Sequence, residues 1–364
     1  MKPYNTVRIR QAGFSLIELM VAAAIGLLLL TGLSLIFLNS SEANRELQKT
    51  SQQIENGRYA VDLLTQNIHH SGFYGHLYVL PSVPATAPDP CEIANATALY
   101  DALSLPMQGY RAANLSTRAD ISSTSCGTLL SSANLKPGSD VLVVRRALTN
   151  VLSVGSVAAS NEVYIQANGT TGEVQFGNGA ALVAGKKANG SAATLFLKNG
   201  TTAAPIRKYV VHVYFVALCS VGSGTNGVCQ STDDAIPTLK RLELVAGATG
   251  AKMSIVPLVE GIEYLKVEYG VDNSPAVNAV TGLVGDGTVD SYTATPATPS
   301  DWSTVITAKV FVLARNNEAT TGYTDVKSYT LGSASVPATS DPFKRHAYAV
   351  TVRGNNPADR REIP

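Results

Sequence analysis

The feature that most constrains this chain is an apolar run near its N-terminus. Residues 14–38 read FSLIELMVAAAIGLLLLTGLSLIFL, and Glu18 is the only charged residue among them. At about 1.5 Å of rise per residue, a helix of this length spans roughly 37 Å, more than the hydrocarbon core of about 30 Å. Lys2, Arg8 and Arg10 precede the run without an acidic residue. The positive-inside rule therefore predicts a cytoplasmic N-terminus and an exported remainder.

The composition argues against nucleic acid as a main partner. The 364 residues contain 28 Lys and Arg against 27 Asp and Glu, which gives a formal net charge of +1. That balance leaves no basic excess to neutralise a phosphate backbone. Since 45% of the residues are apolar and 15% are charged, the chain can bury a sizeable core. We therefore expect a folded domain after the apolar run.

Two ordinary interpretations of the apolar run fit the sequence poorly. A cleaved secretory signal would have a shorter apolar core followed by small residues, whereas Leu38 is followed by Asn-Ser-Ser-Glu. A plain membrane anchor would leave Glu18 unexplained, because a carboxylate in hydrocarbon is costly and by default marks a functional site. The order of residues around the start of the run favours a third interpretation.

The segment Gly13-Phe14-Ser15-Leu16-Ile17-Glu18, with its basic leader and apolar run, resembles the processing motif of type IV pilins and pseudopilins. The resemblance implies that a prepilin peptidase removes residues 1–13 by cutting between Gly13 and Phe14, and that Phe14 is then N-methylated. It also implies that Glu18 acts in assembly, because a carboxylate in hydrocarbon needs a cation and the freed amine of Phe14 on a neighbouring subunit can supply it.

The helix is predicted to continue beyond the membrane run as an amphipathic half, residues 39–72. No proline occurs between Pro3 and Pro81, and apolar residues recur every seven positions. This stripe comprises Leu47, Ile54, Val61 and Ile68, with Leu64 between the last two. We expect the helix to run from about Phe14 to about Ser71 and to stop at Gly72. The stripe is predicted to pack on the chain's own globular domain rather than to form a free coiled coil.

Residues 73–364 are predicted to form a β-rich periplasmic domain. Short apolar alternations predict strands at 140–145, 162–166, 194–197, 208–218, 239–245, 261–270, 304–313 and 346–353. In the strand at 261–270, Leu265, Val267 and Tyr269 share one face and Lys266 and Glu268 the other, which predicts half burial. Residues 81–90 and 272–300 are expected to be loops. The predicted fold class is α+β, a long N-terminal helix packed on an antiparallel-dominated β-sheet domain of one or two lobes.

Four cysteines, Cys91, Cys126, Cys219 and Cys229, lie in the predicted exported part. An even number in an oxidising compartment favours disulfides over metal ligation. Of the three connectivities, Cys91–Cys126 with Cys219–Cys229 closes the shortest loops, and we predict that pairing. The CxxC spacing typical of zinc sites is absent, so no metal is expected.

No motif indicates catalysis or a cofactor. His69, His70 and His76 cluster at the predicted helix end without an HExxH pattern, and His212 lies in a predicted strand without a nucleophile elbow. Residues 180–187 fail the phosphate-loop pattern at Ala180 and Lys187, and Asp233-Asp234 lacks the alternating ligands of an EF-hand. We expect these residues to be polar surface or hydrogen-bond partners, and we expect no enzyme activity.

The resemblance extends to minor pilins of the PilW type. It rests on Gly72-Phe73-Tyr74-Gly75, on residues 259–265 followed by Tyr269-Gly270, and on the C-terminal Arg360-Arg361-Glu362. The chain is also much longer than a typical major pilin, which favours a low-copy subunit. The resemblance implies a component of a type IV pilus initiation complex and of the pilus tip.

The implied partners are other minor pilins, the major pilin, the prepilin peptidase and the inner membrane, with a large tip adhesin as a further partner. The implied location is a single-pass inner-membrane protein with a periplasmic C-terminal domain, extracellular at the pilus tip after assembly. Two alternatives stay open. One is a J-type minor pseudopilin of a type II secretion system, and the other is a pilus-tip adhesin or binding module.

Overall fold

The computed structural model describes residue 13 and residues 15–121, 124–274 and 285–362. It divides into two compact units, Met1–Ser51 and Gln52–Pro364. Helix α1, Leu16–His69, contributes residues to both units. Phe14, the predicted first residue of the helix, lies outside the described residues.

Helix α1 ends close to the predicted stop. Its last residue is His69, and Gly72 has a φ of +69°, in the left-handed region that glycine adopts without Cβ strain. The N–H of Gly72 donates to the carbonyl of Arg145 at 2.9 Å, so the end of the helix is attached to a strand.

The buried face of α1 differs in part from the predicted heptad stripe. The buried helix residues are Gln53, Gly57, Ala60, Leu64 and Ile68, spaced three and four apart. The heptad positions Leu47 and Ile54 are exposed, at 68% and 37%. In a straight helix, positions seven residues apart are rotated by about 20° about the helix axis. Going back from Ile68, the heptad residues therefore turn away from the face of the helix that contacts the domain, and Ile54 no longer lies on that face. The prediction that this half packs on the chain's own domain is confirmed near its end, where Leu64 and Ile68 join the core.

Seven antiparallel strands form the first sheet. They are β1 Met107–Tyr110, β2 Val141–Val151, β3 Val163–Ala167, β4 Gly172–Phe176, β5 Ile206–Ala217, β6 Thr238–Ala246 and β7 Ala251–Glu260. The order is β1-β2-β5-β3-β4, with β6 also pairing with β5 and β7 with β6. Neighbouring residues of β2, such as Leu142 and Val143, lie in different core clusters, so this sheet is covered on both faces.

The second sheet has the order β13-β10-β8-β9 and is also antiparallel. Its strands are β8 Ile262–Val271, β9 Ser291–Thr293, β10 Val305–Arg315 and β13 Arg345–Arg353, and a hairpin of β11 Tyr329–Leu331 and β12 Ala334–Val336 precedes the last of them. Three short helices accompany the sheets: α2 Ala96–Asp101, α3 Pro299–Ser303 and α4 Asn355–Glu362. The structure confirms the α+β fold class.

The end of α1 and the two sheets share one core. Leu64 and Ile68 lie in the same buried cluster as Leu142 of the first sheet and Leu265 and Val310 of the second. Burying such side chains contributes about 1.5–3 kcal/mol each, so this cluster holds the helix end on both sheets.

Three sequence predictions about the domain need correction. Residues 194–197 form no strand, because this part of the chain consists of Gly- and Asn-rich turns in which Phe196 makes only an isolated bridge to Ala203. The predicted loop at 272–300 contains β9 and the start of α3. The strand at 261–270 is not half exposed, since Lys266 is only 4% exposed and donates to Asp140 at 2.8 Å.

Candidate functional site

The N-terminus of α1 is closed by a reciprocal pair of hydrogen bonds. The Ser15 hydroxyl oxygen accepts the N–H of Glu18 at 3.2 Å, and the Glu18 carboxylate accepts the N–H of Ser15 at 2.9 Å. This is a capping box, which satisfies N–H groups that have no partner within the helix. The cap matters in a membrane segment, because an unsatisfied backbone group in hydrocarbon costs several kcal/mol.

The sequence prediction gave Glu18 an assembly role and missed this cap. The signal was present, since Ser15-Leu16-Ile17-Glu18 is a Ser-x-x-Glu pattern in front of an apolar run. Only one carboxylate oxygen of Glu18 takes part in the cap. Its other oxygen accepts no hydrogen bond from any described residue and stays available to a second donor.

The apolar half of α1 presents its side chains outward. None of the residues in its most apolar 18-residue window is buried, and Leu16 and Phe37 are 77% and 73% exposed. The hydroxyls of Thr31 and Ser34 donate to carbonyls one turn earlier, both at 2.8 Å. The helix is thus long and apolar enough to cross a membrane, and its polar hydroxyls are satisfied without water.

The fold itself does not require glycine at position 13. A Cβ atom built on Gly13 would meet no atom within 4 Å. Phe14, the predicted methylation position, lies outside the described residues. Cleavage after Gly13 and N-methylation of Phe14 remain predictions.

Two distant segments that carry the family resemblance meet at the end of α1. Arg360 of α4 donates to the carbonyls of Gly72 at 2.8 Å and Leu77 at 3.1 Å, and its guanidinium lies 5.7 Å from the Tyr74 ring centre. Burial lowers the pKa of Arg360. The C-terminal basic residue thus fastens the turn that ends the helix and is not a free surface charge.

Arg361 fixes the neighbouring loop in a similar way. Its guanidinium donates to the Asp272 carboxylate at 2.7 Å and to the Ser274 carbonyl at 2.8 Å. Burial alone would raise the pKa of Asp272, but hydrogen bonds from Arg361 and Ser274 bring that pKa below its usual value. Both arginines of the C-terminal motif therefore have structural partners.

The structure contains the two predicted disulfides. Cys91 pairs with Cys126 and Cys219 with Cys229, and all four residues are buried. The second bridge encloses residues 220–228, which are anchored by hydrogen bonds to two neighbouring acids.

Asp233 and Asp234 are therefore not simply solvated acids, as the sequence suggested. Asp234 accepts the N–H of Ser220 at 2.9 Å, and Asp233 accepts the N–H groups of Ser223 at 3.0 Å and Gln230 at 2.8 Å. Hydrogen bonds from Ser223 lower the pKa of Asp233. These acids hold the loop that the second disulfide closes.

Three of the five histidines have polar partners within the domain. His69 Nδ1 lies 2.8 Å from the Arg353 carbonyl, and His70 Nδ1 lies 2.7 Å from the Gln66 carbonyl. His212 is buried, at 7% exposure, and its Nδ1 lies 3.0 Å from Asn67 Oδ1, which links β5 to α1. Burial lowers the pKa of His212 well below its usual value, so it is neutral at pH 7.

The remaining polar motifs show no arrangement for a metal or a phosphate. The one group of three possible metal ligands among the described residues is Asp89 with Cys91 and Cys126. Its two thiols are joined in a disulfide and cannot ligate as thiolates. Lys187 of the phosphate-loop-like segment is paired with Glu173 at 2.7 Å.

Two families match the chain. The family described as type IV pilus-assembly protein W matches residues 213–356, and the prokaryotic N-terminal methylation motif matches residues 8–34. The second match contains Gly13, Phe14 and Glu18, and the first runs from β5 to the start of α4. No curated protein and no solved structure matches the chain significantly.

Proposed function

We propose that this pilin-like protein works in the inner-membrane complex that initiates pilus assembly, and the matches to the type IV pilus-assembly protein W family and to the N-terminal methylation motif support this proposal. In this proposal several minor pilins associate in the membrane, prime polymerisation of the major pilin and are carried to the tip of the fibre. The role is structural, with no reaction catalysed by the chain.

The observation that carries the proposal is the state of the Glu18 carboxylate. It is the single charge in the apolar half of α1, and one of its oxygens has no donor among the described residues. A carboxylate in hydrocarbon needs a cation, and the amine freed at Phe14 of a neighbouring subunit has the required charge. Such a pair would fix the axial offset between two otherwise uniform apolar helices.

The proposal divides the chain into four parts. A prepilin peptidase removes residues 1–13, residues 14–38 span the inner membrane, residues 39–72 continue the helix, and residues 73–364 form the periplasmic domain. The apolar helix and the methylation motif fit a single-pass inner-membrane anchor. The position of Gly13 directly before the apolar run, within the matched methylation motif, supports cleavage there.

Deleting the gene tests the proposal against its main alternative. We expect loss of surface pili with normal secretion of exoproteins. Loss of exoprotein secretion with normal piliation would instead indicate a J-type pseudopilin of a type II secretion system. Normal piliation together with normal secretion would contradict both assignments, and loss of surface adhesion alone would indicate a tip adhesin.

Two substitutions at Glu18 separate its charge from its cap. Glutamine keeps an oxygen that can accept the N–H of Ser15, as capping boxes allow, but it removes the charge. We expect Glu18→Gln and Glu18→Ala to insert in the membrane at least as well as the wild type. Both should reduce pilus number and co-purification with other minor pilins. Glu42→Ala, which removes an exposed acid of the same helix beyond the apolar run, is the matched control.

The outcomes of this comparison are distinct. Rescue by glutamine alone would show that Glu18 acts only as a helix cap. Normal assembly of both variants would remove the assigned role and favour a plain membrane anchor. Loss of insertion would show that the charge acts in export.

A further inference from the structure

Lys240 is a buried cation whose hydrogen-bond partners are two sulfur atoms. It lies on β6, is 1% exposed, and its Nζ is 3.5 Å from Cys219 Sγ and 3.6 Å from Cys229 Sγ. Among the described residues no carboxylate forms an ion pair with it. Burial lowers its pKa, because the charged form loses its hydration.

The other deeply buried lysine shows what Lys240 lacks. Lys266 is 4% exposed, and its Nζ lies 2.8 Å from the Asp140 carboxylate. A disulfide sulfur is a weak acceptor and carries no charge, so the oxidised bridge compensates the Lys240 amine poorly. A thiolate at the same position would compensate it well, since it would place a full negative charge beside the amine.

We propose that Cys219–Cys229 is a reversible thiol–disulfide exchange site, at which Lys240 stabilises the thiolate released when a dithiol reductant opens the bond. A reductant thiolate attacks one cysteine sulfur, a mixed disulfide forms, and the S–S bond breaks to release the other cysteine as a thiolate. The second reductant thiol resolves the mixed disulfide. The reductant is oxidised to its disulfide, and two electrons and one proton pass to this chain, which then holds one cysteine as a thiol and the other as a thiolate beside the Lys240 ammonium. The second proton of the reductant is released to solvent.

The first disulfide has the opposite electrostatic surroundings. A carboxylate oxygen of Asp89 and the two sulfur atoms of Cys91 and Cys126 lie within 4.8 Å of one another. A negative charge at that distance disfavours a thiolate. Because only the second bridge has a lysine amine directly at its sulfur atoms, we expect Cys219–Cys229 to be reduced before Cys91–Cys126.

The surroundings of Cys219–Cys229 give a reductant a route to it. Both cysteines line an open cavity of about 470 Å³, and none of residues 220–228, the loop that the bridge closes, is buried. The other charged groups near the bridge are Asp233 and Asp234, which follow Cys229 in the chain, and Lys136, Glu263 and Arg315 of the cavity wall. Reduction would leave the loop held by its hydrogen bonds to the two aspartates and by its contact with β7.

The test is a redox titration of the full chain in detergent with dithiothreitol buffers. Each disulfide is followed separately by alkylation and peptide mass spectrometry. In the wild type we expect Cys219–Cys229 to be reduced at a less negative buffer potential than Cys91–Cys126. In Lys240→Met its equilibrium should shift about tenfold toward the disulfide, which corresponds to about 30 mV for a two-electron couple. Lys136→Met, a cavity lysine that donates to neither sulfur, should leave both bridges unchanged.

A measurement on the reduced wild type keeps the test decisive if Lys240→Met does not fold. The alkylation rate of Cys219 and Cys229 should already be near its maximum at neutral pH, because one of them is held as a thiolate. A rate that keeps rising into the alkaline range of an ordinary thiol would overturn the proposal. Equal reduction of the two bridges, or an unchanged equilibrium in Lys240→Met, would also overturn it.

Discussion

The buried pair of Asp140 and Lys266 joins the two sheets, and replacing Lys266 by methionine is expected to destabilise the domain strongly. Lys266 Nζ lies 2.8 Å from Asp140 Oδ1, and each side chain is only 5% exposed. The Asp140 carboxylate also accepts the backbone N–H groups of Ala112 at 3.0 Å and Val267 at 3.2 Å. Asp140 directly precedes β2 of the first sheet, whereas Lys266 and Val267 belong to β8 of the second.

The expected magnitude follows from the charge that the substitution leaves behind. Removing one partner of a buried ion pair costs about 3–5 kcal/mol, against a total stability of about 5–15 kcal/mol for a domain. In Asp140→Asn/Lys266→Met both charges are gone, and the amide oxygen can still accept a backbone N–H. We expect the double variant to recover about 2 kcal/mol relative to the sum of the two single variants.

The loss should depend on pH. Burial raises the pKa of Asp140, and the charge and hydrogen bond of Lys266 oppose that rise. Without Lys266 the pKa of Asp140 should rise further. A carboxyl group whose pKa is higher in the folded state favours folding at low pH, and this contribution is lost as the pH rises through the folded pKa. The free-energy cost of Lys266→Met should therefore be larger at neutral pH than in acid.

Trp302 provides the assay. It is the single tryptophan of the chain, it is 5% exposed, and its ring lies 4.6 Å from that of Tyr269 on β8. Urea unfolding of the full chain in detergent can be followed by its fluorescence. Lys252→Met on β7 is the control, since an exposed lysine should change stability by no more than about 0.5 kcal/mol. A loss below about 1 kcal/mol for Lys266→Met, or strictly additive single variants, would refute the assigned role of the pair.

Three further predictions concern the same domain. Closing loops of 35 and 10 residues should contribute about 4 and about 3 kcal/mol, so Cys91→Ser should lower the urea midpoint more than Cys219→Ser. Gly57→Ala should cost about 1–3 kcal/mol, because its Cβ would clash with the Tyr348 ring, and less in a Tyr348→Ala background. Hydrogen bonds from Arg345 lower the pKa of Asp341, so the ionised Asp341 stabilises the folded domain. This contribution to the free energy of unfolding should be lost as the pH falls through the lowered pKa. In Asp341→Asn the free energy of unfolding should therefore fall less steeply in acid than in the wild type.

The sequence predicted long, regular elements best. The helix and the strands corresponding to β5, β8 and β10 have apolar patterns that extend over ten residues or more, and their approximate positions are confirmed. The strand predicted at 140–145 covers only the first half of β2. The three-residue strands β9, β11 and β12 are too short to show a period. Strand β7 contains Pro257 in its interior, which argues against a strand except at a sheet edge, and the structure places β7 at that edge.

The alternation of apolar and polar residues along a strand did not predict which charged side chains are buried. Lys266 has the strand position of a solvent-facing residue, and it is buried because residues near Ala112 cover that face of β8. The contact of Arg360 with Gly72 joins positions 288 residues apart, and the approach of Lys240 to the second disulfide depends on the pairing of β5 with β6. Local sequence carries no information on such contacts, so the structure was needed to find them.

The motif around Glu18 illustrates how one short segment can satisfy two demands. In an isolated helix the first N–H groups need an acceptor, and Ser15 and Glu18 provide it for each other. This cap uses one carboxylate oxygen and fixes the direction of the side chain, while the second oxygen keeps its capacity to accept a donor. A carboxylate oriented in this way loses less conformational freedom when a neighbouring amine binds it, so the cap would favour the ion pair rather than compete with it. If Glu18 acts in assembly as proposed, Ser15, the second residue after the predicted cut, would support that role by orienting the carboxylate.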